Sequence, residues 1–201
     1  MGSPGPPPPF GLGTLVEGRY RLESILGRGA TAWVYGAHDT RAFQSVALKV
    51  LVASAAARAR FRREAQSLAS VYSAHVVRIT DFGEHDGLAY LVMDRVDGCS
   101  LRDELDNHRL STSEVVLVGT QIAQALEDVH RANLVHRDVK PSNIVIDRAG
   151  PRVRAVLVDL GLARDAAVGS GPALTSEGVV FGTPMYMAPE QATGANASSE
   201  T

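Results

Sequence analysis

The stretch HRDVKPSN, at residues 136–143, gathers a carboxylate, an amine and an amide within one short segment. The carboxylate of Asp138 can accept a proton from a hydroxyl group, and Lys140 follows two residues later. Asn143 ends the stretch with an amide oxygen, a ligand type that divalent cations accept. A chance loop rarely combines these three groups at this spacing, so the segment predicts a functional site.

A second carboxylate follows downstream. Asp159 lies 21 residues after Asp138, at the end of an apolar run, and begins the triplet DLG. A carboxylate at the end of a strand can chelate a metal ion that arrives with a nucleotide. Taken alone, such a triplet is usually no more than a turn.

Upstream, residues 27–34 read GRGATAWV and lie between two predicted strands. Glycine lets a backbone approach phosphate closely and adopt turn angles that a side chain would block. The strand-like pair Val34 and Tyr35 follows the glycines where a dinucleotide-binding fold would have a helix. The chain also lacks the GxxxxGK[ST] pattern of a P-loop. By itself, this run is about as well explained by a β-turn.

The two lysines of the chain are informative because the other 18 of its 20 basic residues are arginines. Lys49 ends the strand-like run VALK, and Glu64 follows 15 residues later on a predicted helix. A strand lysine that points inward needs a counter-ion, which a helix carboxylate can supply. The other lysine is Lys140. Taken alone, such a lysine is more often a surface residue, and a position that needs a compact ammonium group is the alternative interpretation.

The segment GTPMYMAPE, at residues 182–190, completes a series of five motifs. In their order and wording, the glycine-rich run, VALK, HRD, DLG and APE resemble the signatures of a protein kinase catalytic domain, above all the eukaryotic-like serine/threonine kinases of bacteria. The resemblance extends from Tyr20 to Gln191. It implies an α+β, bilobal protein-kinase-like fold, with an antiparallel β N-lobe that contains one helix and a mainly α C-lobe.

This resemblance implies an ATP-dependent serine/threonine kinase that transfers the γ-phosphate to protein hydroxyls, autophosphorylates and uses Mg²⁺ or Mn²⁺. Lys49, aligned by Glu64, would hold the α- and β-phosphates, and Asp138 would accept the hydroxyl proton. The implied catalytic positions are Asp138, Lys140, Lys49 and Glu64, and the implied metal ligands are Asn143 and Asp159.

The resemblance also implies a nucleotide site. The backbone of the glycine-rich run would cover the triphosphate, and apolar side chains together with residues 94–96 would enclose the base. The positions concerned are Leu26, Gly27, Arg28, Gly29, Ala30, Thr31, Ala32, Val34, Ala47, Lys49, Met93, Asp94, Val96 and Val145. Arg95 stands where the family often has an aromatic residue. Arg137 implies control by phosphorylation of the activation loop, with Thr175 and Ser176 as candidates.

The composition is that of a folded protein, with 201 residues, 45% of them hydrophobic, and a formal net charge of −2. Such a chain is not expected to be disordered, and its near-neutral charge argues against a nucleic-acid binder. The single cysteine, Cys99, excludes a disulfide framework. No apolar run reaches the roughly 18 to 20 residues of a membrane span. The expected location is therefore the cytoplasm. The resemblance to protein kinases implies ATP and a protein substrate as partners.

The predicted organisation has four parts: a Pro/Gly-rich flexible tail at 1–17, the N-lobe at 18–97, a partial C-lobe at 98–191 and a disordered tail at 192–201. Short apolar runs predict strands at 20–26, 32–38, 45–51, 76–82 and 88–94, with a helix at 55–71. Ser111 and Glu114 fit a capping box for a second helix, which would bury apolar residues from Val115 to Val129.

The resemblance implies further C-lobe helices after the APE motif, whereas the last ten residues, ATGANASSET, are small and polar. The C-lobe is therefore expected to be truncated, which would leave an apolar surface exposed for self-association. Two alternative interpretations are an ATP-binding fragment without catalysis and a partial gene product.

Overall fold

The computed structural model describes residues 7–29, 32–52, 55–107, 110–150, 152–159, 184–186, 188 and 189. Six strands form the N-lobe: β1 (Leu15–Val16), β2 (Tyr20–Arg28), β3 (Ala32–Asp39), β4 (Gln44–Leu51), β5 (Ile79–His85) and β6 (Leu88–Asp94). They pair antiparallel in the order β1-β2-β3-β4-β6-β5. Helix α1 (Ala55–Leu68) lies against β5 and β6.

The described part of the C-lobe combines a three-stranded sheet with two helices. In chain order these are β7 (Cys99–Ser100), α2 (Leu101–Asn107), α3 (Thr112–Arg131), β8 (Ile144–Asp147) and β9 (Arg154–Leu157). Short 3₁₀ turns cover Pro141–Asn143 and Pro184–Tyr186. Across the described ranges, no helix is both long enough and apolar enough to cross a bilayer. The tail predicted at 192–201 lies outside the described residues.

Strand β4 decides how the N-lobe packs, because it is buried on both faces. Leu48 faces one side and Leu51 the other, as expected when successive strand side chains alternate. The first side contributes to a cluster that we call the outer core: Phe10, Val16, Tyr20, Leu22, Trp33, Tyr35, Ala37, Val46, Leu48, Val50, Tyr90 and Val92. The second side belongs to the shared core, in which α1, β4 and β6 of the N-lobe meet α3, β8 and β9 of the C-lobe.

Between Phe10 and Val16, the structure departs from the prediction of a flexible tail at 1–17, of which residues 1–6 lie outside the described residues. Val16 is fully buried within β1, and Phe10 is only 8% exposed. The backbone N–H of Phe10 donates to the Tyr35 hydroxyl at 3.3 Å, and that hydroxyl donates to the Phe10 carbonyl at 3.1 Å. Two isolated apolar anchors among prolines and glycines produce no periodic pattern, so the sequence does not reveal this docking onto the outer core.

A charged cluster closes the sheet where the start of β2 meets β5. Arg19 donates to Asp39 at 2.9 and 2.7 Å and to Asp81 at 3.2 Å. The Tyr20 hydroxyl donates to the same Asp81 carboxylate at 2.5 Å. Hydrogen bonding by Arg19 lowers the pKa of Asp39 to about 2, so this carboxylate is ionised at neutral pH. These bonds join two strands that are not neighbours in the sheet order.

The strand predicted at 76–82 begins three residues later, as β5. Val76 instead forms a parallel bridge with Leu157 of the C-lobe. The Val77 N–H donates to the Leu157 carbonyl at 2.9 Å, and the Leu157 N–H donates to the His75 carbonyl at 2.9 Å. These backbone bonds are used to tie the two lobes together, which is why the segment does not extend the N-lobe sheet.

Helix α3 starts at the predicted capping box. The Ser111 hydroxyl accepts from the Glu114 N–H at 3.3 Å, and the Glu114 carboxylate accepts from the Ser111 N–H at 3.0 Å. The buried positions of the helix follow the predicted spacing: Val118, Ile122, Ala125 and Val129. Val115 does not follow it and is 54% exposed, because the part of the helix that packs into the shared core begins only at Val118.

Candidate active site

Lys49 is a buried cation that points into the space between the lobes. It alternates with Leu48 along β4, and its side chain is only 6% exposed. Its Nζ lies 2.7 Å from Oδ1 of Asp159, which follows β9 in the C-lobe. Burial raises the pKa of Asp159, but the charge and hydrogen bond of Lys49 outweigh it, and the net result is a lowered pKa. The Asp159 carboxylate is therefore ionised at neutral pH.

The HRD segment holds Asp138 in a fixed position. The Lys140 Nζ lies 2.7 Å from Asp138 Oδ2. The Asn143 Nδ2 donates to the same oxygen at 3.0 Å and to the Asp138 carbonyl at 2.8 Å. The turn Pro141–Asn143 brings these groups together, because proline begins a 3₁₀ turn readily. The structure thus places three predicted site residues in one hydrogen-bonded group.

His136 is buried close to the carboxylates of both Asp138 and Asp159. It is 2% exposed, and its Nδ1 accepts the N–H of Asp138 at 3.2 Å. Burial lowers the pKa of His136 to about 4, although the carboxylates of Asp159 and Asp138 act in the opposite direction. The imidazole is therefore neutral near pH 7 and serves as a packing and hydrogen-bonding residue. Arg137, next in the chain, has a left-handed φ of 62°, a strained conformation for a residue other than glycine.

The glycine-rich run leaves room along the cleft. The Gly29 N–H donates to the Ala32 carbonyl at 2.8 Å and so closes the turn between β2 and β3. A Cβ placed on Gly27 would meet no atom within 4 Å, and neither glycine has a left-handed φ. Neither packing nor turn geometry explains the glycine at 27, whereas close approach of a ligand to the backbone does. Ala30 and Thr31 lie outside the described residues.

The predicted base-enclosing side chains lie along the strands that border this space. Val34 on β3 is the register partner of Lys49 on β4, and Ala47 is the partner of Met93 on β6. Cross-strand partners share a face of a sheet, so these side chains line the same side as the buried lysine. Leu26, at the end of β2, is 47% exposed.

Two predictions about this site remain predictions. Glu64 lies half-buried on α1, as the sequence places it, and its pairing with Lys49 is an expectation from the resemblance. Thr175 and Ser176, the candidate phosphorylation sites, fall outside the described residues.

Sequence reasoning missed the importance of Gly98. A Cβ at this position would collide with the carbonyl oxygen of Ile146, so only glycine lets the chain cross from residues 94–97 into β7 beside β8. The dipeptide Asp97-Gly98 is a common turn signal, and it could have identified this crossing point.

The oxygen ligands of the site suit a metal ion that arrives already bound to a phosphate-containing ligand. Within the described part of the chain, no group of three His, Cys, Asp or Glu side chains could hold a metal by itself. Magnesium commonly takes only one or two protein oxygens and completes its shell with phosphates and water. Asp159 is a partly exposed carboxylate, 37% accessible, and Asn143 supplies an amide, so the two fit that role.

Comparison with known proteins gives one consistent result. The family model described as "Protein kinase domain" matches residues 20–201. A probable serine/threonine-protein kinase of Streptomyces coelicolor is 45% identical over 188 residues, which cover 89% of this chain and 27% of that protein. The chain thus spans about a quarter of the length of the curated relatives it matches.

Solved structures agree with this result. The crystal structure of the Mycobacterium tuberculosis PknI kinase domain superposes with a TM-score of 0.71 and 29% identity, covering 94% of this chain and 71% of that one. The structure of Rad53 1-466 in complex with AMP-PNP superposes with a TM-score of 0.64 and 25% identity, covering 72% of this chain and 38% of that one.

Proposed function

This chain belongs to the protein kinase domain family, and on that premise we propose that it transfers the γ-phosphoryl group of ATP to serine or threonine hydroxyls. The proposed partners are ATP with Mg²⁺ or Mn²⁺ and a protein substrate, which can be a second copy of the chain. The observation that carries the proposal is the hydrogen-bonded group of Asp138, Lys140 and Asn143.

Asp138 is suited to receive the proton of the substrate hydroxyl. Lys140 and Asn143 both donate to Oδ2, and these two hydrogen bonds orient the carboxylate. Lys140 would also stabilise negative charge on the group in transfer, a role that needs a compact ammonium. Phosphoryl transfer requires little covalent chemistry from the protein, so positioning of this kind is the main task.

Lys49 and Asp159 are suited to bind the nucleotide end. Their 2.7 Å ion pair holds both side chains in the same space between the lobes. In the nucleotide complex, Lys49 would turn to phosphate oxygens, and Asp159 together with Asn143 would supply metal ligands. Bound ATP supplies the phosphoryl group, and its metal ion neutralises the phosphate charge.

Intact-mass measurement of the purified chain after incubation with Mg·ATP tests this proposal. We expect the mass to increase by one or more phosphoryl groups, with Thr175 or Ser176 among the mapped sites. The Asp138→Asn variant, which is nearly isosteric but cannot accept the proton, should show no increase.

ATP binding measured by calorimetry separates the proposed role of Asp138 in accepting the proton from the proposed role of Lys49 in binding the nucleotide. Asp138→Asn should bind ATP about as well as the wild type, whereas Lys49→Met should weaken binding by roughly 10- to 100-fold, the range for charge-assisted contacts. An increase in mass that persists in Asp138→Asn would overturn the role of Asp138. Binding without any increase in the wild type would favour an ATP-binding protein over a kinase.

A further inference from the structure

Arg95 reaches from the segment that connects the lobes to the strand above the cleft. It lies in residues 94–97, directly after β6. A Cβ built on Gly36 of β3 would lie 3.4 Å from Arg95 Nη1 and 3.5 Å from Leu26 Cδ2. The guanidinium and the Leu26 side chain therefore flank the same backbone position.

Gly36 creates the space that the guanidinium occupies. Its register partners are Ser24 on β2 and Ala47 on β4. A Cβ at Gly36 would come within 2.5 Å of the Ser24 hydroxyl, so a larger residue would have to displace β2 or its side chain. The bare backbone of Gly36 instead offers a surface against which a planar guanidinium can lie.

The same guanidinium group also lies near an acidic residue. Its Nε lies 3.4 Å from Oδ1 of Asp97, within the same connecting segment. Asp97 is 81% exposed, so this ion pair contributes little energy by itself. Its effect is to orient the guanidinium toward β3, and Arg95 then spans from the connecting segment to the hairpin of β2 and β3.

We propose that Arg95 is a positioning residue that sets the height of Leu26 above the nucleotide base and thereby sets the affinity for ATP. This inference rests on the proposed function. Leu26 is 47% exposed and lies at the end of β2, outside both cores. A contact that holds its strand before the nucleotide arrives removes part of the ordering cost of binding. Without Arg95, the hairpin would be freer to lift, and the base would dissociate faster.

The test compares the affinities of Mg·ATP and adenosine for the wild-type chain, Arg95→Ala and Arg95→Lys. We expect Arg95→Ala to weaken both ligands by the same factor, about three- to tenfold, because the effect acts on the base and not on the phosphates. Arg95→Lys, which keeps the charge but not the plane, should recover only part of the loss. The melting temperature without ligand should be unchanged. Arg152→Ala, an exposed arginine between β8 and β9, is the matched control and should bind both ligands like the wild type.

Three results would overturn the inference. Equal affinity of wild type and Arg95→Ala would remove it while leaving the proposed function intact. A loss for ATP without a loss for adenosine would assign Arg95 to the phosphates and not to the base. A wild-type chain that binds neither ligand would overturn the proposed function as well, so the two failures are distinguishable.

Discussion

The outer core and the shared core are packed with similar side chains but serve different ends. The outer core is built from strands of one sheet and the N-terminal segment, and Arg19 and Asp39 close it at one edge. The shared core joins both lobes, and the buried polar residues Lys49, His136 and Asn143 lie at its border. Purely apolar packing supplies stability, whereas polar groups at the border of a core between two lobes can be positioned for chemistry.

In strand β4, two neighbouring side chains point to these two different regions. Leu48 is fully buried in the outer core, while the next side chain, Lys49, is directed between the lobes toward Asp159. The strand therefore belongs to both regions, with one face in each. A substitution on one face should change stability, and a substitution on the other should change ligand binding.

The largest expected effect follows from breaking the outer core at Leu48. Leu48 is fully buried on β4, which lies between β3 and β6 in the sheet. Leu48→Ala should lower the free energy of unfolding by about 2 to 5 kcal/mol. Urea denaturation measures this loss. Val52→Ala, just beyond the end of the strand and 52% exposed, is the matched control and should change stability by less than about 0.5 kcal/mol.

The ATP affinity of the same variant tests whether the two cores act independently. The folded fraction of Leu48→Ala should bind ATP like the wild type, since the side chain faces away from Lys49. A loss of ATP affinity in proportion to the loss of stability would mean that the two cores act as one unit.

Local patterns predicted much of this architecture. The short apolar run at 45–51 predicted a strand, and the capping box at Ser111 predicted the start of α3; both are observed. The spacing of the HRD segment predicted that its polar groups act together, and they share one carboxylate oxygen. Such features depend on neighbours in the chain, which a sequence displays directly.

Features that depend on distant partners were not predicted. Helix α2 has only seven residues, too few for a helical period to appear, and its buried Glu104 is paired with Arg148, 44 residues away. The docking of Phe10 against Tyr35 and the position of the Arg95 guanidinium beside Gly36 likewise bring together segments far apart in sequence. Tertiary contacts of this kind leave no periodic signal in either segment.

An intermediate effect is expected from acid, and it should begin in the shared core. Burial lowers the pKa of His136 to about 4, below its usual value of 6.5. Between these values, the unfolded chain binds a proton that the folded chain does not, so stability falls as pH decreases from 6.5 to 4. The total loss is roughly 3 kcal/mol, at 1.36 kcal/mol per unit of pKa.

Denaturation curves between pH 7 and pH 4 measure this slope. His136→Leu cannot be protonated and should remove it, which provides the control. Asp39 at the edge of the outer core behaves differently, since Arg19 lowers its pKa to about 2 and its contribution is lost only as pH falls below 3.8. An equal slope in wild type and His136→Leu would show that the acid sensitivity above pH 4 arises elsewhere.

The smallest expected effect lies at the start of α3, away from both cores. Ser111→Ala removes the hydroxyl that accepts the Glu114 N–H and should lower the free energy of unfolding by about 1 kcal/mol. Glu114 also accepts from Arg148 at 2.8 Å, and this bond would retain the carboxylate at the helix end. Thr112→Ala, one position along and exposed, is the control.

Hydrogen exchange should increase for amides 112–117 but not beyond Val118, where burial begins, because capping bonds stabilise only the first turn. Faster exchange along the whole helix would instead mean that the cap and the shared core unfold together, and that the first turn of α3 belongs to the same unit as the shared core.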